Sequence, residues 1–174
     1  MTSRSLIAWI IPALALCLVA ANSPEADKVA TFSALPTTDT LQVRLNSSGC
    51  FHYYTYDFTF QRGATNHASV ASLLTEPRAF GNKRRDKSRK ELGRVSLSEE
   101  DLKGLDASLE YYRSKPTGGC TTVVRVSISQ VRNGRILATE NFVDGSCGTH
   151  RFTPSNGHQF VTFHGLLKRL PKTK

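Results

Sequence analysis

Cys50 and His52 stand two residues apart in a stretch that reads Cys50-Phe51-His52-Tyr53-Tyr54-Thr55-Tyr56-Asp57-Phe58-Thr59-Phe60. A thiolate beside an imidazole is the start of a nucleophile–base pair, and would make the chain a thiol-dependent enzyme. Little supports the pair. Cα atoms two apart on a strand are about 6.5–7 Å apart, and no neighbour marks an oxyanion hole or a third, orienting group. The alternative is a small buried thiol, an ordinary state for free cysteine.

The other cysteines adjoin glycine, in Gly119-Cys120 and Cys147-Gly148. On hairpin geometry Cys120 and Cys147 are the best disulfide pair, since directly opposed Cα atoms lie about 5.5 Å or less apart. Such a bridge would stabilise the domain by roughly 3–4 kcal/mol in the chain-entropy model. A metal held by Cys50, Cys120, Cys147 and either His52 or His150 is allowed by residue type, but no C-x-x-C spacing supports it. No G-x-S-x-G and no phosphate-cradling glycine loop before a helix is present. The expectation is therefore a protein without catalytic residues, metal or cofactor.

Charge offers a different chemistry. Lys83, Arg84, Arg85, Lys87, Arg89 and Lys90 surround a single acid, Asp86, in a chain of net charge +9. Such a run is a solvated loop or a contact for an anionic partner: an anionic envelope component, or a protein. Phe80 is the one aromatic close by, which argues against nucleic acid, where stacking residues interleave with basic ones. Phe51 and Tyr53 would add a second contact surface on an exposed sheet face.

The N-terminus places this chemistry outside the cytoplasm. Arg4 precedes an apolar run from Leu6 to Ala21, too short to span a bilayer, ending in Val19-Ala20-Ala21. Residues 1–21 are expected to be a signal peptide cleaved after Ala21, giving a periplasmic or secreted protein. Removal takes away one arginine and no acid, so the mature charge is +8. Leu14-Ala15-Leu16-Cys17 resembles a lipobox, with Leu where that motif takes a small residue before the cysteine. Membrane attachment would follow only if Cys17 were acylated.

Residues 22–40, rich in Pro, Thr and Ala, read as a flexible lead-in, and 41–170 as one domain. Leu41–Leu45 alternates as a strand does, and Asn46–Gly49 reads as a turn. From Cys50 to Gln61 one face carries His52, Tyr54, Tyr56, Phe58 and Phe60, so Tyr56, Phe58 and Phe60 are expected in the core. Ala68–Leu74 reads as a return strand, Thr75–Glu91 as a long polar loop and Gly93–Leu97 as a short strand. Ser98 as N-cap, Asp101 three residues on, and Leu102, Leu105, Leu109 and Tyr112 at helical spacing predict a helix over 98–113.

Cys120–Val131 and Ile136–Val143 flank Asn133-Gly134 as a hairpin. A two-residue turn there pairs residues summing to 267. A three-residue Arg132–Gly134 loop pairs those summing to 266. The second is favoured on burial: it sets Val124 and Ile128 against Phe142 and Ala138, leaves Glu140 as a misfit opposite Val126, and needs a bulge near Gly145. Phe160, Phe163, Leu167 and Leu170 predict a C-terminal helix over 154–170. The fold class expected is α+β, a mostly antiparallel sheet of about five strands. The function expected is an exported binding module.

Overall fold

The computed structural model describes residues 28–49, 52–74, 88–146 and 152–171. Six strands and two helices follow in the order β1 (Asp39–Gly49), β2 (His52–Gln61), β3 (Asn66–Leu74), β4 (Ser88–Leu97), α1 (Glu99–Arg113), β5 (Val123–Arg132), β6 (Arg135–Asp144) and α2 (Phe163–Leu167). They form one antiparallel sheet in the order β4-β3-β2-β1-β5-β6. The chain is α+β with mostly sheet, as expected, and has six strands.

Alternation sets the core. Leu41, Val43 and Leu45 of β1 lie opposite Phe60, Phe58 and Tyr56 of β2, and opposite Gln130, Ile128 and Val126 of β5. Leu41, Val43, Leu45, Phe58, Phe60, Val126 and Ile128 are all buried against Leu102, Leu105 and Leu109 of α1. The helix starts where predicted. Asp101 N donates to Ser98 Oγ (3.1 Å) and Ser98 N donates to Asp101 Oδ2 (2.8 Å), a reciprocal capping box.

Four local readings are corrected. First, residues 28–38 are not a flexible lead-in: Val29, Phe32 and Leu35 are core residues. Phe32 meets Phe60 edge to face at 4.8 Å. Side chains tie down the backbone of this segment. Glu140 accepts from Val29 N (3.1 Å), Gln130 from Ala30 N (2.9 Å) and Asp106 from Phe32 N (2.5 Å), while Arg62 donates to Ser33 O. Three apolar residues suffice because partners from β5, β6 and α1 satisfy the polar backbone beside them.

Second, only Phe163–Leu167 of the expected 154–170 helix is helical. Gly157 takes a left-handed φ of +68°, and the chain beyond it runs alongside α1. Val161 N donates to Gly104 O (3.1 Å) and Ser108 Oγ donates to Val161 O (3.0 Å). A Cβ on Gly104 would lie 2.5 Å from Val161 Cγ2, so glycine permits this approach. Third, β1 runs on through Gly49, so Asn46–Gly49 is strand and not turn. β4 likewise begins at Ser88, inside the segment read as a polar loop.

Fourth, the β5–β6 turn is the two-residue one. Asn133 (φ +50°) and Gly134 (φ +77°) are both left-handed, the conformation this hairpin turn requires. A bulge then shifts the register at Gln130/Val131, setting Val126 opposite Phe142 and Ile128 opposite Glu140. The bulge lies by Leu137 and not near Gly145. It restores the face assignment that burial demanded, displaced by two residues. Glu140 is no misfit: it pairs with Arg113 at 3.0 and 2.5 Å.

Candidate functional site

The alternation that builds the core builds a second, polar face on the other side of the sheet. Its central rank runs Glu91–Ala71–Asp57–Arg44–Ser127–Asn141 across all six strands. On one side of it lies Arg89–Leu73–Thr55–Asn46–Arg125–Val143, and on the other Arg94–Ser69–Thr59–Gln42–Ser129–Thr139. Residues 28–38, α1 and α2 all contribute to the core on the opposite face. Across these ranks stand four arginines and two acids.

Asp57 organises the centre. Arg44 Nε donates to its Oδ1 at 2.8 Å and Arg44 Nη2 to its Oδ2 at 3.1 Å, a bidentate pair from the neighbouring strand. Arg89 crosses β3 and donates Nη1 to the same Oδ2 at 3.2 Å, while its Nε reaches Glu91 at 2.8 Å. The carboxylate is only 12% exposed; the guanidinium side chains are 58% and 51% exposed. The hydrogen bond from Arg44 to Asp57 raises the arginine above its ordinary pKa, so it is charged at any physiological pH. Beside this triad is a cavity of about 310 Å³ lined by Gln42, Arg44, Asp57, Thr59, Arg89, Ser127 and Ser129, among others. Guanidinium and hydroxyl donors around an open bowl suit an oxyanion-bearing or polyhydroxylated ligand.

Of the residues expected to contact a partner, Arg89 sits in this bowl. Lys90 points the other way, in register with Ser72. Tyr53 is exposed on the bowl's face of the sheet, opposite Ser48 at the end of the β1–β2 hairpin. Lys83, Arg84, Arg85, Lys87 and Phe51 lie outside the described residues, as do Cys17, Cys50, Cys147 and the expected signal peptide.

His52, the other half of the thiol reading, shares a 2.9 Å hydrogen bond with Ser47 Oγ and stacks on Tyr54 at 5.4 Å. Its described partners are a hydroxyl and an aromatic ring, with no carboxylate to orient the imidazole. Cys120 is disulfide-bonded, its partner lying outside the described residues. Among the described residues no three His, Cys, Asp or Glu side chains cluster as metal ligands, and no helix is long and apolar enough to cross a membrane.

Sequence reasoning missed Arg44 and Asp57 as a pair. The signal was there: in the register that sets Gly49 opposite His52, Arg44 faces Asp57. Reading Asn46–Gly49 as the turn hid that register. No family model, curated protein or solved structure matches the chain.

Proposed function

We propose that the chain is an exported, non-enzymatic binding module, periplasmic or secreted, that holds an anionic envelope component on its polar sheet face. The observation that carries this reading is the convergence of Arg44 and Arg89 on one nearly buried carboxylate. Asp57 fixes both guanidiniums in place while each arginine side chain stays more than half exposed, so little side-chain freedom is lost when an anion binds. Arg94 and Arg125 add positive charge on either side, and the mature charge of +8 steers anions toward the molecule. The basic run from Lys83 directly precedes β4 in the sequence and adds to the charge that would attract an anion.

The test is titration of the mature protein with a fluorescent sulfated oligosaccharide at two salt concentrations. Arg44→Ala with Arg89→Ala is expected to weaken binding at least about tenfold, the worth of one charge-assisted contact. Neutralising Lys83, Arg84, Arg85 and Lys87 is expected mainly to flatten the salt dependence. Unchanged affinity in the double alanine variant refutes the reading.

We further propose that Cys147 is the disulfide partner of Cys120. Cys120 N donates to Gly145 O at 3.1 Å, which brings the two chain segments together just before Cys147. Peptide mapping under non-reducing conditions decides between Cys147 and Cys50.

A further inference from the structure

The two edges of the sheet are built differently. The β4 edge carries Arg89, Lys90 and Glu91, a bulge, and Gly93 with Pro171 packed at 3.5 Å from where its Cβ would be. Charges, bulges and covering segments are how sheets prevent further strands from adding. The β6 edge lacks most of these. Ile136, Leu137 and Val143 are 61%, 39% and 59% exposed, and Glu140, its single acid before Asp144, is taken up by Arg113. The Leu137 bulge is confined to the turn end, leaving Ala138–Asp144 in unbroken register. Among the described residues, no backbone hydrogen bond reaches the outer side of β6.

Beside this edge lies a groove of about 530 Å³ between β6 and the end of α1. Tyr112 and Phe142 stack on its wall at 5.9 Å, and Val143, on the other face of the strand, borders it. Its rim carries Lys28, Lys115 and the Arg113–Glu140 pair, a set with net positive charge.

We infer that the outer edge of β6 is a docking site for an extended, acidic segment of another protein, which adds to the sheet as a seventh strand. Main-chain pairing supplies the affinity of such contacts, and alternate side chains in flanking pockets supply selectivity. Here alternate apolar side chains would enter the Tyr112–Phe142 groove, while an acidic side chain at the end of the segment meets Lys115 on its rim. Charge excludes a second copy as the favoured occupant: two mature chains of net charge +8, joined at these rims, repel. The site is separate from the arginine bowl and does not depend on it.

The test uses the mature protein and an acetylated Glu-Val-Thr-Val-Glu-Val-Thr-Val-Glu peptide, with a version carrying lysine for glutamate as control. The acidic peptide is expected to slow amide exchange along Ala138–Asp144 at least about tenfold. Lys115→Glu should weaken its binding several-fold, and Val143→Lys should abolish it while leaving exchange in β1–β3 unchanged. Arg44→Ala with Arg89→Ala should have no effect. Three results overturn the inference: no slowing in β6 at millimolar peptide, equal slowing by the lysine peptide, or a dimer in sedimentation that protects β6 without peptide.

Discussion

Leu41, Val43 and Leu45 point into the helix-covered core, while Gln42 and Arg44, one residue along, stand exposed on the other face. Both faces come from one strand and one alternation. What separates them is what arrives from elsewhere in the chain. The first face is closed by residues 28–38, by α1 and by the segment around α2, so it must be apolar and close-packed. The second keeps charges that are partly in water. Half-exposed pairs of that kind contribute little to stability. The Arg44–Asp57–Arg89 triad is therefore poorly explained as a stabilising device, which leaves room for the contact role proposed above.

Several changes would break or sharpen this contrast. The largest stability effect is expected on the closed face, in the segment that composition made look expendable. Phe32→Ala should cost about 3–5 kcal/mol in denaturant unfolding, the usual range for a fully buried phenylalanine. Arg44→Ala with Arg89→Ala should lower stability by less than about 1 kcal/mol while abolishing most anion binding. A loss of several kcal/mol would erase the distinction between the faces.

Asp39 gives a pH signature at the closed end of the sheet. Its side chain is fully buried and accepts from Arg132 at 2.6 and 3.1 Å, from Gln130 at 2.6 Å and from Thr38 at 2.9 Å. The Arg132 hydrogen bond, opposed by desolvation, holds its carboxyl far below the usual carboxylate range. A depressed pKa means the stabilisation is complete above the unfolded value of about 3.9 and fades as pH falls below it. Asp39→Asn should thus destabilise the protein at pH 7, and the gap from wild type should narrow below about pH 4. A gap of constant size across that window contradicts the ion-pair account.

Asp57→Asn sharpens the comparison from the other side. With the carboxylate gone, two positive guanidiniums lose their neutralising partner. Affinity for a sulfated oligosaccharide should fall in the same titration, because both guanidiniums lose the carboxylate that positions them. A rise would show that Asp57 acts chiefly by neutralising charge. A small gain is expected at Lys115, which has a left-handed φ of +54° just past the end of α1. Lys115→Gly should raise stability by about 1 kcal/mol through relief of that conformation.

How much of this was legible follows the range of the interactions. The α1 N-cap and stripe, the burial of Phe58 and Phe60, and the Asn133-Gly134 turn are set by residues close in sequence, and reading them needs no tertiary information. The burial of Phe32 depends on acceptors at Asp106, Gln130 and Glu140, which lie 74 to 111 residues from the backbone groups they satisfy. Gly157 and Gly104 mattered more than the apolar spacing of 160–170, because one turned the chain and the other let it lie against α1. In the site, Arg89 was visible as a charge, but its contact with Asp57 spans three strands and a register. Arg44 was visible only as the polar half of an alternation. An Asn46–Gly49 turn would set Arg44 opposite residue 51 instead of Asp57, which was enough to hide the pairing.

The most direct test of the central claim is a backbone amide NMR titration of the mature protein with the sulfated oligosaccharide. The account predicts saturating shift changes centred on Arg44, Asp57, Arg89, Ser127 and Ser129, lost in the Arg44→Ala, Arg89→Ala variant. Changes confined to the helix side of the sheet, or undiminished in that variant, would contradict it.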